Sequence, residues 1–597
     1  MTESATIIDH LVHNAQARGT SLAYRDKLTG TWRSSTWSDY DQRSREVARA
    51  LMHLGIDKGD VVTILGPNRP EWALTAVGAM RAGAIAAGIY TTGSPDEVGY
   101  VIRHAESKVL VAENNDQLAK VLEVWDTLPD LDTVVLMDGS HDDERVMSWA
   151  ELTAAAANVS DADLDTRYGS VSASDLAVFI YTSGTTGPPK AVMLTHDNLL
   201  WTCKTLAEPF GTDGDAVTLS YLPLSHIAEM TGSILMQITY GYEVAFCHDG
   251  LRLAEFLPEV RPTTFFGVPR VWERFEAGIS DKLGEATGVK AKLIDWARGV
   301  ASEYIATTNR GETPSSALTR KYNLANKLVL EKVKAAIGLE RADVLVSGAA
   351  PIPAESLEFF ASLGMTIYEV YGQSEDTGPT TCNLPGMVRY GSVGQMLDGI
   401  EVKLGDDDEI LVRGRNVFAG YYKDEAATNE TLVDGWLHSG DLGAIDDDGY
   451  LSIIGRKKDI IITSGGKNIA PKNIEAALSR IDIIEHAVVI GEQQRYLVTL
   501  LTLEPEASAR FAEEHGIDVA GMHDSPIVRE HLDKAISADV NSQLARVEHV
   551  RNYTVLPHQF SVDTGELTPT LKVKRAPVSE IYAEQIDAVY AAGQVLN

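Results

Sequence analysis

Apolar and polar positions alternate along this chain in two registers, and the register changes at regular intervals. Ser44 to Leu54 carries an apolar stripe at helical spacing, closed by Gly55, and Val61 to Leu65 is a short continuous apolar run with strand character. Helix and strand alternate again through Trp72 to Tyr90 and Glu97 to Ala112. Ala154 to Asp165 is small and polar and reads as a surface connection, and a second α/β run starts at Leu176. A charged helical insert, Ala277 to Ala336, interrupts that run. Gly391 to Tyr450 is rich in short strands, with a hairpin signal at Asp446-Asp447-Asp448-Gly449. Past Gly455 to Asp459, a compact stretch begins with a helix at Pro471 and strands near Ala487 and Leu497. Alternation of this kind predicts α/β architecture.

The apolar run Leu176 to Tyr181 leads into the segment with the most chemistry, Thr182-Ser183-Gly184-Thr185-Thr186-Gly187-Pro188-Pro189-Lys190. Glycines let backbone N–H groups approach oxyanions, hydroxyls donate hydrogen bonds, and lysine adds a point charge. A Walker loop needs its glycines four residues apart, then Lys-Ser/Thr opening a helix. Here two residues separate Gly184 from Gly187, and Lys190 precedes an apolar run, Ala191 to Leu194, that reads as a second strand. A helix starts only near Thr195, a good N-cap. The loop therefore joins two strands, which argues against a Walker-type NTPase; on composition alone it is also a plain hairpin turn.

Size and charge narrow the picture further. The chain has 597 residues, with 52 Lys+Arg against 85 Asp+Glu, a formal charge of −33. That balance argues against nucleic acid, or an anionic membrane, as a whole-surface partner. Anionic ligands then need local basic islands: Lys190, Arg413 with Arg415, Arg456 to Lys458, and Lys572 to Arg575. Arg413 and Arg415 read better as solvated surface groups. Three cysteines, Cys203, Cys247 and Cys382, without CxxC spacing suit neither a disulfide framework nor zinc. No secretory leader pattern and no long uncharged apolar run is visible. A cytoplasmic protein is expected, with peripheral membrane contact left open.

The phosphate-type loop resembles that of the adenylate-forming superfamily: acyl-CoA synthetases, luciferase and peptide-synthetase adenylation domains. Five further stretches resemble that family's motifs in order: Tyr221-Leu222-Pro223-Leu224-Ser225-His226, Ser347-Gly348-Ala349-Ala350-Pro351, Tyr371-Gly372-Gln373-Ser374-Glu375, Gly435 to Asp441, and Gly455-Arg456-Lys457-Lys458-Asp459. Leu222 to Glu229, Thr264 to Phe275 and Ile460 to Pro471 are most similar to long-chain fatty acyl-CoA synthetases.

The resemblance implies an α/β fold. A large N-terminal domain (1–455) of layered α/β sheets with a β-rich subdomain is hinged to a small C-terminal α+β domain (456–597). It implies an acid–thiol ligase that uses ATP and Mg2+ to turn a fatty acid into acyl-AMP and then passes the acyl group to CoA. An acyl-AMP ligase that loads a carrier-protein thiol is the alternative, and a nucleotide- or lipid-binding relic the non-enzymatic reading.

By the same resemblance, Thr182, Ser183, Gly184, Thr185, Thr186, Gly187 and Lys190 hold the β- and γ-phosphates. Gly348, Ala349, Ala350, Tyr371 and Gly372 flank adenine, Ser374 meets the α-phosphate, and Glu375 ligates magnesium. Asp441 takes the ribose and Arg456 the ribose or a phosphate, His226 lines the acyl site without a general-base role, and Lys458 is the hinge. Ser464, Gly465 and Gly466 face the CoA channel. Lys572 is the catalytic lysine, with Lys574 its rival. Each has a plainer reading as a cap, turn or surface group. Phe265, Phe266, Trp272 and Trp436 line an acyl channel or are ordinary core. Two departures stand out, at positions where the family usually has glycine: Ala191, where alanine disfavours a positive φ, and Leu571, which is what leaves Lys574 a rival to Lys572.

Overall fold

The computed structural model describes residues 5–182, 188–568 and 571–596. Its largest sheet has eight strands in the order Gly420–Tyr421, Lys190–Thr195, Leu176–Thr182, Ile85–Ile89, Val61–Leu65, Val109–Ala112, Thr133–Leu136 and Val146–Ser148. Six neighbouring strands of it run parallel, and their buried apolar runs follow from helices covering both faces. The pair Leu176–Thr182 and Lys190–Thr195 is antiparallel, with Thr182 opposite Lys190, so the phosphate-type loop does join two strands. Ser183, Gly184, Thr185, Thr186 and Gly187 themselves lie outside the described residues. The next helix, His196–Ala207, starts at Thr195 with a capping box to Asn198.

A second, five-stranded sheet contains Thr264–Gly267, Val344–Ser347 and Ile367–Tyr371 in parallel, continued antiparallel by Thr381–Cys382 and Gln395–Met396. Phe265 and Trp272 are fully buried in the core on one of its faces, 5.4 Å apart and edge to face. The β-rich part is a twisted antiparallel sheet in which Trp436–Ile445 pairs with Glu409–Arg413 and with Leu451–Arg456. Trp436 lies there under Lys403 and Arg413. The last part pairs Ile484–Ile490 antiparallel with Leu497–Leu503, and that strand parallel with Val550–Val555, under helices such as Pro471–Leu478. Its core clusters draw only on residues from Ile461 onward, while the main core ends at Leu451. The architecture is mixed α/β, large and layered first, small and α+β last.

One local boundary moves and one local expectation fails. The helix expected from Ser44 spans Trp37–His53, because Thr36 and Asp39 close a capping box seven residues earlier. Ala154 to Asp165 is a helical connection, Trp149–Ala155 followed by Asp161–Tyr168, with Ala156 and Leu164 buried. Ser148 and Ser160 cap these helices, and runs of alanine favour helix although they look featureless in sequence. The charged insert is helical as expected, over Pro269–Gly284, Gly288–Asn309, Ser316–Ala325 and Glu331–Ala336.

Candidate functional site

Four segments distant in sequence meet at Asp441. It stands on Trp436–Ile445 directly opposite Arg456 on Leu451–Arg456, and Arg456 Nε lies 2.8 Å from Asp441 Oδ1. From the second sheet, the Tyr371 hydroxyl donates to Asp441 Oδ2 at 2.8 Å. The carboxylate is almost wholly buried and is held by one charge-assisted hydrogen bond, from Tyr371, and one ion pair, with Arg456. Burial, reinforced by Asp441 and Asp376, raises the Tyr371 phenol well above its ordinary range, so it stays a donor.

The C-terminal segment supplies the rest of the charge. Leu567 bridges Val573, Thr568 N donates to Lys572 O at 2.8 Å, and Lys572 N donates to Thr568 Oγ1 at 3.0 Å. These contacts fix the backbone of Lys572 beside Thr568. Crowding by protein pushes the Lys572 ammonium down to about 8, helped by Lys472 and Arg456 and opposed by Asp441. Water still reaches the side chain, so the ammonium is crowded rather than sealed. Lys574 points elsewhere, 3.9 Å from Glu97, and Arg575 bonds Glu475 at 2.6 Å. Leu571 adopts φ +60, in the left-handed region, and is 61 % exposed. The position that the resemblance marks as glycine therefore does require a glycine-like backbone, and leucine meets that requirement at a cost. Ala191 is different: it lies buried within the extended strand Lys190–Thr195 and needs no positive φ.

His226 caps the short helix Ile227–Met230, its Nδ1 accepting from Ala228 N at 3.2 Å. Burial, with Lys572 adding to it, pushes its imidazole down to about 4, so it is neutral at physiological pH.

A second cluster lies around Tyr421. Its hydroxyl donates to Glu375 Oε1 at 2.7 Å, and Lys190 Nζ sits 4.9 Å from its ring centre. Lys190 also lies 3.9 Å from Asp424. Tyr421 reaches this point because Gly420–Tyr421 pairs with the strand that begins at Lys190. Glu375 and Ser374 occupy a 3-10 turn whose companion Asp376 is fully buried and pushed up to about 8 by burial. Gly372 is obligatory: a Cβ there would lie 1.5 Å from Gly378 O. Gly348 is similarly confined, 2.7 Å from Val370 Cγ1, and Ala349 beside it has φ +68 with Ala350 exposed.

Other candidates sit apart. Lys458 is exposed in the turn Lys457–Asp459, while Lys457 pairs with Asp407 and Glu409. Ser464, Gly465 and Gly466 form an exposed turn between Ile461–Ile462 and Asn468–Ile469. Arg413 and Arg415 are spent on Glu401 and Asp197. Sequence reasoning missed Tyr421, Lys472 and Asp376. Lys472 opens the helix Pro471–Leu478, and its charge acts on Asp441, Arg456 and Lys572.

Lys572, Lys472 and Arg456 gather around Asp441, with Glu375, Asp459 and Glu475 also acting on Arg456 or Lys472. Three cations gathered in one place on a chain of formal charge −33 make a local basic site for an anionic ligand. The profile of the AMP-binding enzyme family matches residues 11–422, and that of its C-terminal domain matches residues 458–594.

This chain belongs to the AMP-binding enzyme family.

Among its relatives in that family, the long-chain-fatty-acid–CoA ligase ACSBG2 of Xenopus laevis is 38% identical over 96% of this chain and 82% of its own. The long-chain-fatty-acid–CoA ligase FadD15 of Mycobacterium bovis is 35% identical over 95% and 94%. The fold is also that of the anthranilate CoA ligase AuaEII, solved with anthranoyl-AMP, at TM-score 0.72 and 19% identity, covering 98% of this chain and 99% of that one. The adenylate-forming architecture therefore extends over nearly the whole length.

Proposed function

We propose that this protein is an AMP-forming long-chain fatty acid:CoA ligase. A fatty carboxylate attacks the α-phosphorus of ATP, giving acyl-AMP and pyrophosphate; the CoA thiol then attacks the acyl carbon and AMP leaves. A carboxylate oxygen is a poor leaving group until it is phosphorylated, so the protein's work is positioning and charge stabilisation. The observation that carries this reading is the convergence of Lys572, from the last fifty residues, on the Tyr371–Asp441–Arg456 cluster. The names and lengths of the relatives support the substrate class.

In this reading Asp441 and Arg456 bind the ribose, and Tyr371 with Gly348, Ala349, Ala350 and Gly372 bounds the base. Ser374 meets the α-phosphate. Thr182, Lys190 and the loop Ser183 to Gly187 hold the β- and γ-phosphates. Lys572 neutralises charge on the carboxylate and α-phosphate in the adenylation step, and neutral His226 lines the carboxylate end of the acyl site.

No cluster of three or more His, Cys, Asp or Glu that could cage a metal occurs among the described residues. A magnesium ion held mostly by phosphate oxygens and water needs only one carboxylate, and Glu375, oriented by Tyr421, fits that demand. When bound, magnesium would supply charge neutralisation at the phosphates.

The domain boundary at 455/456 and a pivot at Lys458 complete the proposal. Turning about that pivot would withdraw Lys572 and bring Ser464 to Gly466 towards the CoA channel. No helix among the described residues is long and apolar enough to cross a membrane. The cytoplasm supplies both ATP and CoA, and we place the reaction there. The test is to incubate the protein with ATP, Mg2+ and carboxylates from acetate to oleate, with and without CoA, and identify products by mass. Oleoyl-CoA and AMP support the proposal; oleoyl-AMP without thioester points to a carrier-protein ligase instead.

A further inference from the structure

His226 sits in a closed ring of hydrogen bonds. The strand Val217–Ser220 ends at Ser220, and the chain then turns through Tyr221-Leu222-Pro223-Leu224-Ser225 to His226, which caps the helix Ile227–Met230. Leu222 lies past the strand, so its backbone groups need partners from outside the ladder. Two side chains supply them. Leu222 N donates to Glu229 Oε2 at 3.3 Å, and Leu222 O accepts from Asn68 Nδ2 at 2.7 Å. Between them, His226 N donates to Pro223 O at 2.9 Å and closes the turn. The ring thus runs from Leu222 through the turn to His226, along the helix to Glu229, and back to Leu222.

Glu229 is only 4 % exposed. Its other oxygen, Oε1, accepts from Ser233 Oγ at 2.5 Å and lies 3.5 Å from Asn68 Nδ2. Asn68 also donates to Ser220 Oγ at 2.8 Å, which ties the ring to the end of the strand. Ser233 belongs to the π-helical turn Thr231–Leu235, an element frequent at functional sites. Burial pushes the Glu229 carboxyl up to about 7, against the bonds it accepts. An acid buried in this way is harder to accommodate than a leucine of similar size, but a leucine would leave Leu222 N unpaired. The flanks of the turn are fixed independently. The Tyr221 hydroxyl donates to Phe266 O of the second sheet at 3.0 Å. A Cβ at Gly88, on the largest sheet, would lie 2.7 Å from Ser225 Cα, so the turn is pressed against that strand. With Tyr221 and Ser225 anchored, the tilt of the turn that carries His226 depends on Leu222.

We propose that Glu229 is a positioning residue for the acid substrate: through Leu222 it sets where His226 stands at the carboxylate end of the acyl site. The inference rests on the ligase reading above and extends it to a residue that acts through another. Two measurements test it on the full chain: kinetics of AMP release with oleate and ATP varied in turn, and hydrogen exchange of residues 220–230, which needs no turnover. Glu229→Ala should raise KM for oleate about tenfold and leave KM for ATP within about twofold. Exchange in 220–230 should quicken about tenfold, with the C-terminal part unchanged. Glu229→Gln keeps an acceptor for Leu222 N and should stay within about threefold of the wild-type KM. A mere loss of folded protein would lower kcat and leave both KM values alone. If Glu229→Ala does not fold, Ser233→Ala must still raise KM for oleate about two- to threefold. Three results overturn the proposal: an unchanged KM for oleate in Glu229→Ala; Glu229→Gln as damaging as Glu229→Ala; or unchanged exchange in 220–230. Wild-type protein that turns over no acid overturns the ligase reading and this role with it, while the exchange measurement still reports on the ring itself.

Discussion

The Tyr371 hydroxyl and the Asp441 carboxylate, seventy residues apart, are joined by a 2.8 Å hydrogen bond that links the parallel second sheet to the antiparallel β-rich sheet. The same carboxylate holds Arg456, so one acidic group organises two walls of the cleft.

Asp441→Asn removes the carboxylate ion-paired with Arg456 beside Lys472 and Lys572, leaving Glu375 and Asp459 as the acidic groups that act on Arg456. Losing a charge-assisted bond in such a site costs about 1–3 kcal/mol. The expected outcome is an about 5- to 150-fold weaker affinity for ATP and AMP with the fold retained, measured by calorimetric titration and circular dichroism.

The activity should carry the signature of a lowered lysine. With its ammonium pushed down to about 8, Lys572 is charged at pH 7 and loses its proton as pH rises through that value. kcat/KM for ATP, which reports on the free enzyme, should be level near neutrality and fall about tenfold per pH unit above roughly pH 8. Lys572→Arg should hold its charge across that range and abolish the fall, even where it lowers the plateau.

Much of the outline is legible in the sequence. The alternation of periods gives the strand–helix order around Leu176–Thr182, and the motifs bring Asp441, Arg456 and Lys572 into one expectation. Tyr421 and Lys472 are not legible, because nothing local marks them. Tyr421 acquires its role through a two-residue edge strand paired with the one starting at Lys190, more than two hundred residues away. Lys472 is an ordinary first-turn lysine until the hairpin at Lys572 folds over it. Leu571 is the instructive case: it looks like a departure from a pattern, and the backbone at φ +60 shows why the pattern favours glycine.

That strain can be measured. Leu571→Gly should stabilise the C-terminal part by about 0.5–1 kcal/mol, a rise of about 2 °C in Tm, by removing the left-handed penalty. Leu571→Ile, branched at Cβ, should lower Tm instead. Differential scanning calorimetry decides between these signs.

Tyr421→Phe removes the hydroxyl that orients Glu375 but keeps the ring beneath Lys190. Loss of about 1 kcal/mol of orientation predicts a roughly fivefold higher Mg2+ requirement. kcat at saturating Mg2+ should be little changed. A magnesium titration of AMP release measures it.

The most direct measurement takes Lys572→Ala through the two half-reactions separately. Oleate-dependent exchange of pyrophosphate into ATP should fall by about 10²–10³-fold, the scale of removing a group that stabilises developing charge. Conversion of supplied oleoyl-AMP and CoA to oleoyl-CoA should continue near the wild-type rate. Undiminished exchange in that variant would contradict the role given to this lysine and the lid-borne chemistry built on it.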